Sequence, residues 1–126
     1  MACASTVEVL ARRFSLDVPG RSRTFSGMLS HVVIFWTDPA KPDAADALIA
    51  GAEEYLRDIP GVVSFHIGRM VPSHRDVVDQ SYQVALNLQF TDKAQEEAYQ
   101  IHPRHVDFVE KVFKPNCVKA RIFDFA

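Results

Sequence analysis

The sequence predicts a single α+β domain whose elements follow the order β-α-β-β-α-β. Four segments are rich in β-branched and aromatic residues, which is typical of strands. Between them lie two regions in which apolar residues recur at steps of three and four, as on one side of a helix. Proline, glycine and aspartate separate the segments. A chain of 126 residues is long enough to bury one core of its own.

Composition excludes several classes of protein. Hydrophobic residues make up 48% of the chain and charged residues 24%, as in ordinary globular domains. The net charge of −2 provides no basic field for nucleic acid. No apolar run approaches the ~18 residues that a membrane span requires. We therefore expect neither nucleic acid nor a membrane as a partner.

Residues 1–27 differ from the rest, since they are rich in Ser, Arg and Gly and precede the patterned segment that Met28 opens. We expect an N-terminal extension over 1–27, with a short strand at Val7–Val9, and the domain over 28–126. Cys3 and Cys117 lie at opposite ends of the chain and form neither a zinc motif nor a disulfide framework. Because a secretion signal is also missing, we expect a cytoplasmic protein.

The first strand is predicted over Leu29–Thr37. Both of its faces are apolar, so it needs cover on both sides. The first helix follows the break at Asp38–Pro42 and ends at Pro60-Gly61. Its apolar stripe consists of Ala45, Leu48, Ile49, Ala52, Leu56 and Ile59.

The second strand is predicted over Val62–Val71, and the third over Tyr82–Phe90. In the third strand, apolar and polar residues alternate strictly, so its two faces are distinct. Tyr82, Val84, Leu86, Leu88 and Phe90 share one face, and Gln83, Ala85, Asn87 and Gln89 share the other.

The second helical region is divided by Pro103, which cannot continue a helix. We expect one helix over Asp92–Ile101 with Thr91 as its cap. A second helix then begins at Pro103 with His102 near the cap, and Lys114-Pro115 ends it. Val106, Val109, Val112 and Phe113 form its apolar stripe, and the last strand covers Val118–Phe125.

This order of elements is the ferredoxin-like motif, with an antiparallel four-stranded sheet and helices on one face. The face without helices would carry Val32, Ile34 and Trp36. An exposed patch of that kind is unusual in a monomer. We therefore predict a homodimer in which two sheets pack face to face and form a dimeric α/β barrel.

Three segments resemble the stress-responsive α/β-barrel (Dabb) family. They are Met-Leu-Ser-His-Val-Val-Ile-Phe around His31, Ile-Pro-Gly-Val at 59–62, and the stretch over 98–109. The last stretch is similar to the family's signature Tyr-x-x-His-Pro-x-His-x-x-Phe. The resemblance covers 28–125 and implies a ferredoxin-like fold whose dimers form a joint barrel. Some members of the family are stress proteins with no assigned reaction, and one plant member cyclises a linear polyketide.

The resemblance implies candidate catalytic residues. The cyclase uses a tyrosine and a histidine that match Tyr99 and His105, and another histidine that matches His31. A further pocket histidine of that enzyme falls at Val84 here. From the helical spacing, His105 shares the inward stripe and lies within the first turn after Pro103, where burial and the helix dipole both favour a neutral imidazole. Such an imidazole can act as a general base, with the Tyr99 phenol as a donor to an oxyanion.

These observations leave two functions open. In the first, a pocket between sheet and helices holds a carbonyl- or phenol-bearing metabolite for acid–base chemistry that uses no cofactor. Phe35, Val84, Leu86 and Val109 are its expected lining. In the second, the protein is a non-catalytic stress or assembly protein, and its histidines and Tyr99 only pack and form hydrogen bonds. An open cavity bordered by Tyr99 and His105 would favour the first.

We expect no metal site. His102 and His105 have the i, i+3 spacing of a ligand pair. A metal site needs more ligands, and no acidic or sulfur ligand is obviously placed to complete this one. The acidic pairs Glu53-Glu54 and Glu96-Glu97 are expected to be solvated helix faces.

Overall fold

The computed structural model describes residues 28–126. The N-terminal extension, with its expected strand at Val7–Val9, lies outside the described residues, as does Cys3. Four strands and a series of helices follow the predicted order: β1 Leu29–Thr37, α1 Ala44–Tyr55, β2 Ser64–Arg69, β3 Val84–Phe90, α2 Lys93–Ile101, α3 Pro103–Phe108, a π-helical segment Val109–Phe113, α4 Lys114–Asn116 and β4 Cys117–Phe125.

The strands form one antiparallel sheet in the order β2-β3-β1-β4, as the ferredoxin-like motif requires. The prediction for β1 is confirmed at both of its ends. β2 and β3 are each shorter than predicted. Within residues 28–126, β2 lies at an edge of the sheet and pairs with β3 alone, so its ends have no second ladder there to extend them.

The predicted face assignment agrees with the burial pattern. On β3, Val84, Leu86, Leu88 and Phe90 are buried beneath the helices. On β1, the side chains that alternate with the buried Val33 and Phe35 are only half-buried. The apolar side chains on this helix-free face are Val32, Ile34, Trp36, Phe123 and Phe125, and Phe123 and Phe125 are exposed.

Helix α1 ends earlier than its apolar stripe predicts. The last helical hydrogen bond runs from the Leu56 N–H to the Ala52 carbonyl, and a turn follows. Ile59 lies beyond the helix but is still buried, because the turn folds it back onto the core. Gly61 adopts a φ of +97°, a left-handed conformation that favours glycine.

In the second helical region, one predicted helix cap is corrected and the other is confirmed. Asp92, and not Thr91, caps α2: its side chain accepts a hydrogen bond from the Gln95 N–H. His102 caps α3 as predicted, since its Nδ1 accepts from the Arg104 N–H at 3.1 Å, with Pro103 in the first turn.

The end of this helical region is not a regular α-helix. Val109–Phe113 is π-helical, and the Lys114 N–H bonds to the Val109 carbonyl five residues back. Helix α4 then continues through Lys114-Pro115, where the sequence predicted a stop. Pro115 ends the hydrogen-bond ladder because it has no N–H, but its backbone still fits a last helical turn. Val109 and Val112 remain buried in the core.

Candidate functional site

A cavity of about 130 Å³ lies between the sheet and the second helical region. Engineered apolar cavities of ~150 Å³ accept a benzene ring, so this volume suits a molecule with one ring. Its walls are mostly apolar. They comprise His31, Val33, Phe35, Leu56, Leu86, Tyr99, Gln100, His105, Val106, Phe108, Val109, Phe113, Ala120 and Ile122.

The three residues proposed for catalysis all border this cavity. His31 comes from β1, Tyr99 from α2 and His105 from α3. The ring centroids of Tyr99 and His105 are 4.8 Å apart, and those of Tyr99 and His31 are 5.9 Å apart. The Tyr99 ring therefore contacts both imidazoles.

Of the four expected lining residues, Phe35, Leu86 and Val109 border the cavity, but Val84 does not. Val84 is fully buried on β3 and pairs with Phe35 on β1. Because β1 lies between β3 and β4, Val84 is one strand further from β4 than Phe35 is. The cavity lies on the side of β4, whose Ala120 and Ile122 face it.

The prediction that Val106 points inward is also corrected. Val106 is 45% exposed, although it borders the cavity.

The low-dielectric setting controls the protonation of two of these rings. Burial lowers the pKa of His105 to about 4. A hydrogen bond to the Gln100 backbone acts in the opposite direction, but its effect is smaller. Burial, together with the negative charge of Glu96, raises the pKa of the Tyr99 hydroxyl far above its ordinary value. At neutral pH the Tyr99 phenol is therefore a hydrogen-bond donor, and His105 is a neutral imidazole.

Two acidic residues that the sequence analysis did not select lie beside His31. The Asp124 Oδ1 is 2.6 Å from the His31 Nδ1, and the Glu96 Oε2 is 3.7 Å from the same nitrogen. Glu96 is 0% exposed, so the prediction of a solvated face is wrong for this residue. Its carboxylate is held by the Lys93 ammonium at 2.6 Å and the Gln100 amide at 2.7 Å.

Each acidic residue has a signal in the sequence. Glu96 precedes Tyr99 by three positions and Gln100 by four, so the three residues share a helix face. Asp124 shares strand parity with Ala120 and Ile122, which makes it a charged residue on the covered face of β4.

Ligand atoms of His31, Glu96 and Asp124 all lie within 4.8 Å of one another, and this donor set suits a divalent cation. The direct contact between the His31 and Asp124 atoms leaves little room for an ion between them. Two ligand atoms ~2.0–2.2 Å from a tetrahedral zinc ion would stand about 3.4 Å apart. The observed arrangement is that of a hydrogen-bonded pair.

The family model for the stress responsive A/B barrel domain (Dabb) matches residues 29–126. The chain belongs to the Dabb family. A comparison of the Dabb chain's sequence with curated proteins found no match. No helix among residues 28–126 of this Dabb protein has the length and apolar character to cross a membrane.

Solved structures share the fold of this Dabb chain. A Dabb family protein of Mesorhizobium loti with a ferredoxin-like fold is 27% identical, with a TM-score of 0.65 over 79% of this chain and 96% of that one. A dimeric ferredoxin-like protein of unknown function from Thermobifida fusca is 19% identical, with a TM-score of 0.65 over 79% and 90%. The hydroxynitrile lyase of Passiflora edulis is 16% identical, with a TM-score of 0.67 over 79% and 93%.

Proposed function

We propose that this protein binds a one-ring molecule bearing a carbonyl or a phenol in the cavity and catalyses proton transfer on it. The convergence of Tyr99, His105 and His31 on one apolar cavity is the observation that carries the proposal. Apolar walls exclude water and strengthen each hydrogen bond to the ligand. The chemistry requires only these side chains.

The reaction class is the enolisation of a carbonyl compound. An imidazole nitrogen removes a proton from the carbon next to the carbonyl, and the electron pair of the broken C–H bond moves into an enolate. The Tyr99 hydroxyl donates a hydrogen bond to the enolate oxygen, where the negative charge develops. Return of the proton to carbon regenerates the ketone. Cyclisation of a longer substrate would use the same enolate as its nucleophile.

The fold is compatible with catalysis. A hydroxynitrile lyase has the same fold, although at 16% identity its reaction does not transfer to this chain. The competing function, a stress or assembly protein without catalysis, draws support from the near-complete burial of Tyr99 and His31. Buried polar rings are often purely structural.

Proton exchange distinguishes these functions. The probe is 4-hydroxyacetophenone, which carries a phenol and a ketone on one ring, and the measurement is the loss of its methyl proton signal in D₂O by NMR. We expect the protein to accelerate exchange and the substitution Tyr99→Phe to lower that rate by about 100-fold, as for loss of an oxyanion donor. Tyr82→Phe is the matched control, because Tyr82 does not border the cavity. Absence of both acceleration and binding would favour the structural role.

We also propose that two copies pair through the helix-free face. Val32, Ile34 and Trp36 on β1 and Phe123 and Phe125 on β4 give this face an apolar strip. The Thermobifida fusca protein with the same fold is described as dimeric. Pairing of the two sheets would bury the strip and close the barrel.

A further inference from the structure

We propose that His31 is the proton acceptor of this pocket, and that Asp124 and Glu96 are positioning residues that fix its ring and its tautomer. This inference rests on the proposed function for the reaction itself, but its structural content can be tested without a substrate. It departs from the sequence-based expectation, which gave the role of base to His105.

The contact between His31 and Asp124 determines the tautomer. The two residues are direct partners in the antiparallel pair of β1 and β4, and their side chains meet at 2.6 Å. An ionised carboxylate only accepts hydrogen bonds, so the His31 Nδ1 must carry the proton. The lone pair of a neutral ring then lies on Nε2. Because Nδ1 is already paired, Nε2 is the nitrogen left to serve the cavity that His31 borders.

Packing holds the ring in place. His31 is 2% exposed, and its ring makes edge contacts with Phe90 and Tyr99, at centroid distances of 6.4 and 5.9 Å. A buried imidazole in such contacts cannot reorient without moving its neighbours. The arrangement matches the physical logic of a carboxylate that orients a catalytic histidine.

Charged groups from two elements lie around the His31 ring. Asp124 approaches from β4. Glu96 approaches from α2, where it also pairs with Lys93. The remaining titratable rings near His31 are Tyr99 on α2 and His105 on α3.

His105 lacks these supports. Its closest ring neighbour is Tyr99. Burial lowers the pKa of His105 and makes it a weak base, a hydrogen bond to the Gln100 backbone acts against this effect, and a charge on His31 would add to it. Since base strength near the operating pH determines the efficiency of proton abstraction, His105 is poorly suited to that role, and His31 is the imidazole that a carboxylate orients. His105 then serves as a neutral hydrogen-bonding wall of the cavity.

The first test measures the tautomer directly. In ¹⁵N-labelled protein at pH 8, two-bond ¹⁵N–¹H spectra report which nitrogen of each histidine is protonated, and His31→Gln assigns the His31 signals. We expect a neutral His31 ring with the proton on Nδ1. In Asp124→Asn, the amide can also donate to the ring, so part of the population moves to the Nε2–H form. Asp76→Asn, in an exposed loop, should leave the spectrum unchanged.

Three outcomes would overturn the proposal: a proton on Nε2 in the wild-type ring, a doubly protonated His31 at pH 8, or a tautomer that Asp124→Asn leaves unaltered. Stoichiometric binding of Zn²⁺ or Mn²⁺ that perturbs the His31 signals would also overturn it, since the cluster would then be a metal site. None of these measurements depends on turnover, so they separate this inference from the proposed function.

The second test uses the exchange of 4-hydroxyacetophenone protons. Asp124→Asn should lower the exchange rate at least about tenfold while the probe still binds.

Glu96→Gln keeps the shape of the side chain but removes one negative charge near His31. It should move the acidic limb of the rate–pH profile to lower pH, because the imidazolium loses support. An unchanged profile for folded Glu96→Gln, or exchange that only His105→Gln abolishes, contradicts the assignment. If the wild type catalyses no exchange, the proposed function fails, and the tautomer measurement alone decides whether Asp124 positions His31.

Discussion

A Cβ atom at Gly51 would lie 2.5 Å from the Cγ1 of Val112, closer than two carbons can pack. Gly51 is buried in α1, and Val112 lies in the π-helical segment that crosses it. The absence of a side chain at Gly51 is thus what allows the two helical regions to approach. Alanine normally stabilises a helix interior by about 1 kcal/mol relative to glycine. Overpacking a core costs about 1–3 kcal/mol.

We therefore expect Gly51→Ala to lower the free energy of unfolding by about 1 kcal/mol, as measured by urea denaturation. The variant Gly51→Ala/Val112→Ala should show favourable coupling between the two substitutions, because the smaller side chain at 112 makes room for the new methyl group. If Gly51→Ala alone is more stable than the wild type, the close approach of the helices is not tight.

The helix-free face yields a prediction about association. Trp36 belongs to the apolar strip, where it lies next to Ile34 and under the Lys119 ammonium, which is 4.4 Å from its ring. Trp36→Glu would bury a charge in the proposed interface, so we expect a monomer or an aggregate in size-exclusion chromatography with light scattering. Val77→Glu, at a highly exposed loop position, is the control. A dimer that Trp36→Glu leaves intact would place the interface elsewhere.

Cys117 offers a test of the packing at the start of β4. Burial raises the pKa of its thiol to about 12, and only the thiolate reacts with an alkylating agent. In a Cys3→Ser variant at pH 8, we expect iodoacetamide to modify native Cys117 on the order of 100-fold more slowly than in urea. Mass spectrometry at timed intervals gives both rates. Similar rates in the two conditions would mean that this end of β4 opens readily.

The fold was largely predictable because the local patterns and the global topology agree. Nine residues without glycine or proline mark β1, and strict alternation marks β3. Boundaries were predicted less well where they depend on tertiary contacts. Neither the short β2 at the sheet edge nor the π-helical turn at Val109–Phe113 has a local signal, since each follows from how the element meets its neighbours.

The candidate site was predictable in part for a similar reason. His31 and His105 share apolar faces in the sequence, and the resemblance to the Dabb signature implies Tyr99 beside them. All three residues border one cavity. The two carboxylates beside His31 were not predicted. Glu96 lies among other charged residues on α2, and Asp124 lies 28 residues after Glu96, in the last strand. Only the pairing of β1 with β4 brings Asp124 to His31.

The low pKa of His105 predicts how stability depends on pH. The folded protein binds a proton at His105 only near pH 4, whereas the unfolded chain binds it near the ordinary value of 6.5. Between these values the unfolded state holds more protons, so this contribution to stability is complete above about pH 6.5 and is lost as the pH falls toward 4. The full loss is on the order of 3 kcal/mol for this group.

Urea denaturation from pH 7.5 to 4.5 measures the slope of the free energy of unfolding against pH. His105→Gln should remove the part of this slope that His105 contributes, because glutamine does not titrate. His74→Gln, at an exposed position, should retain the wild-type slope. A slope in His105→Gln as steep as in the wild type would show that His105 is protonated with little penalty, and would remove the reason to regard it as the weaker base of the pocket.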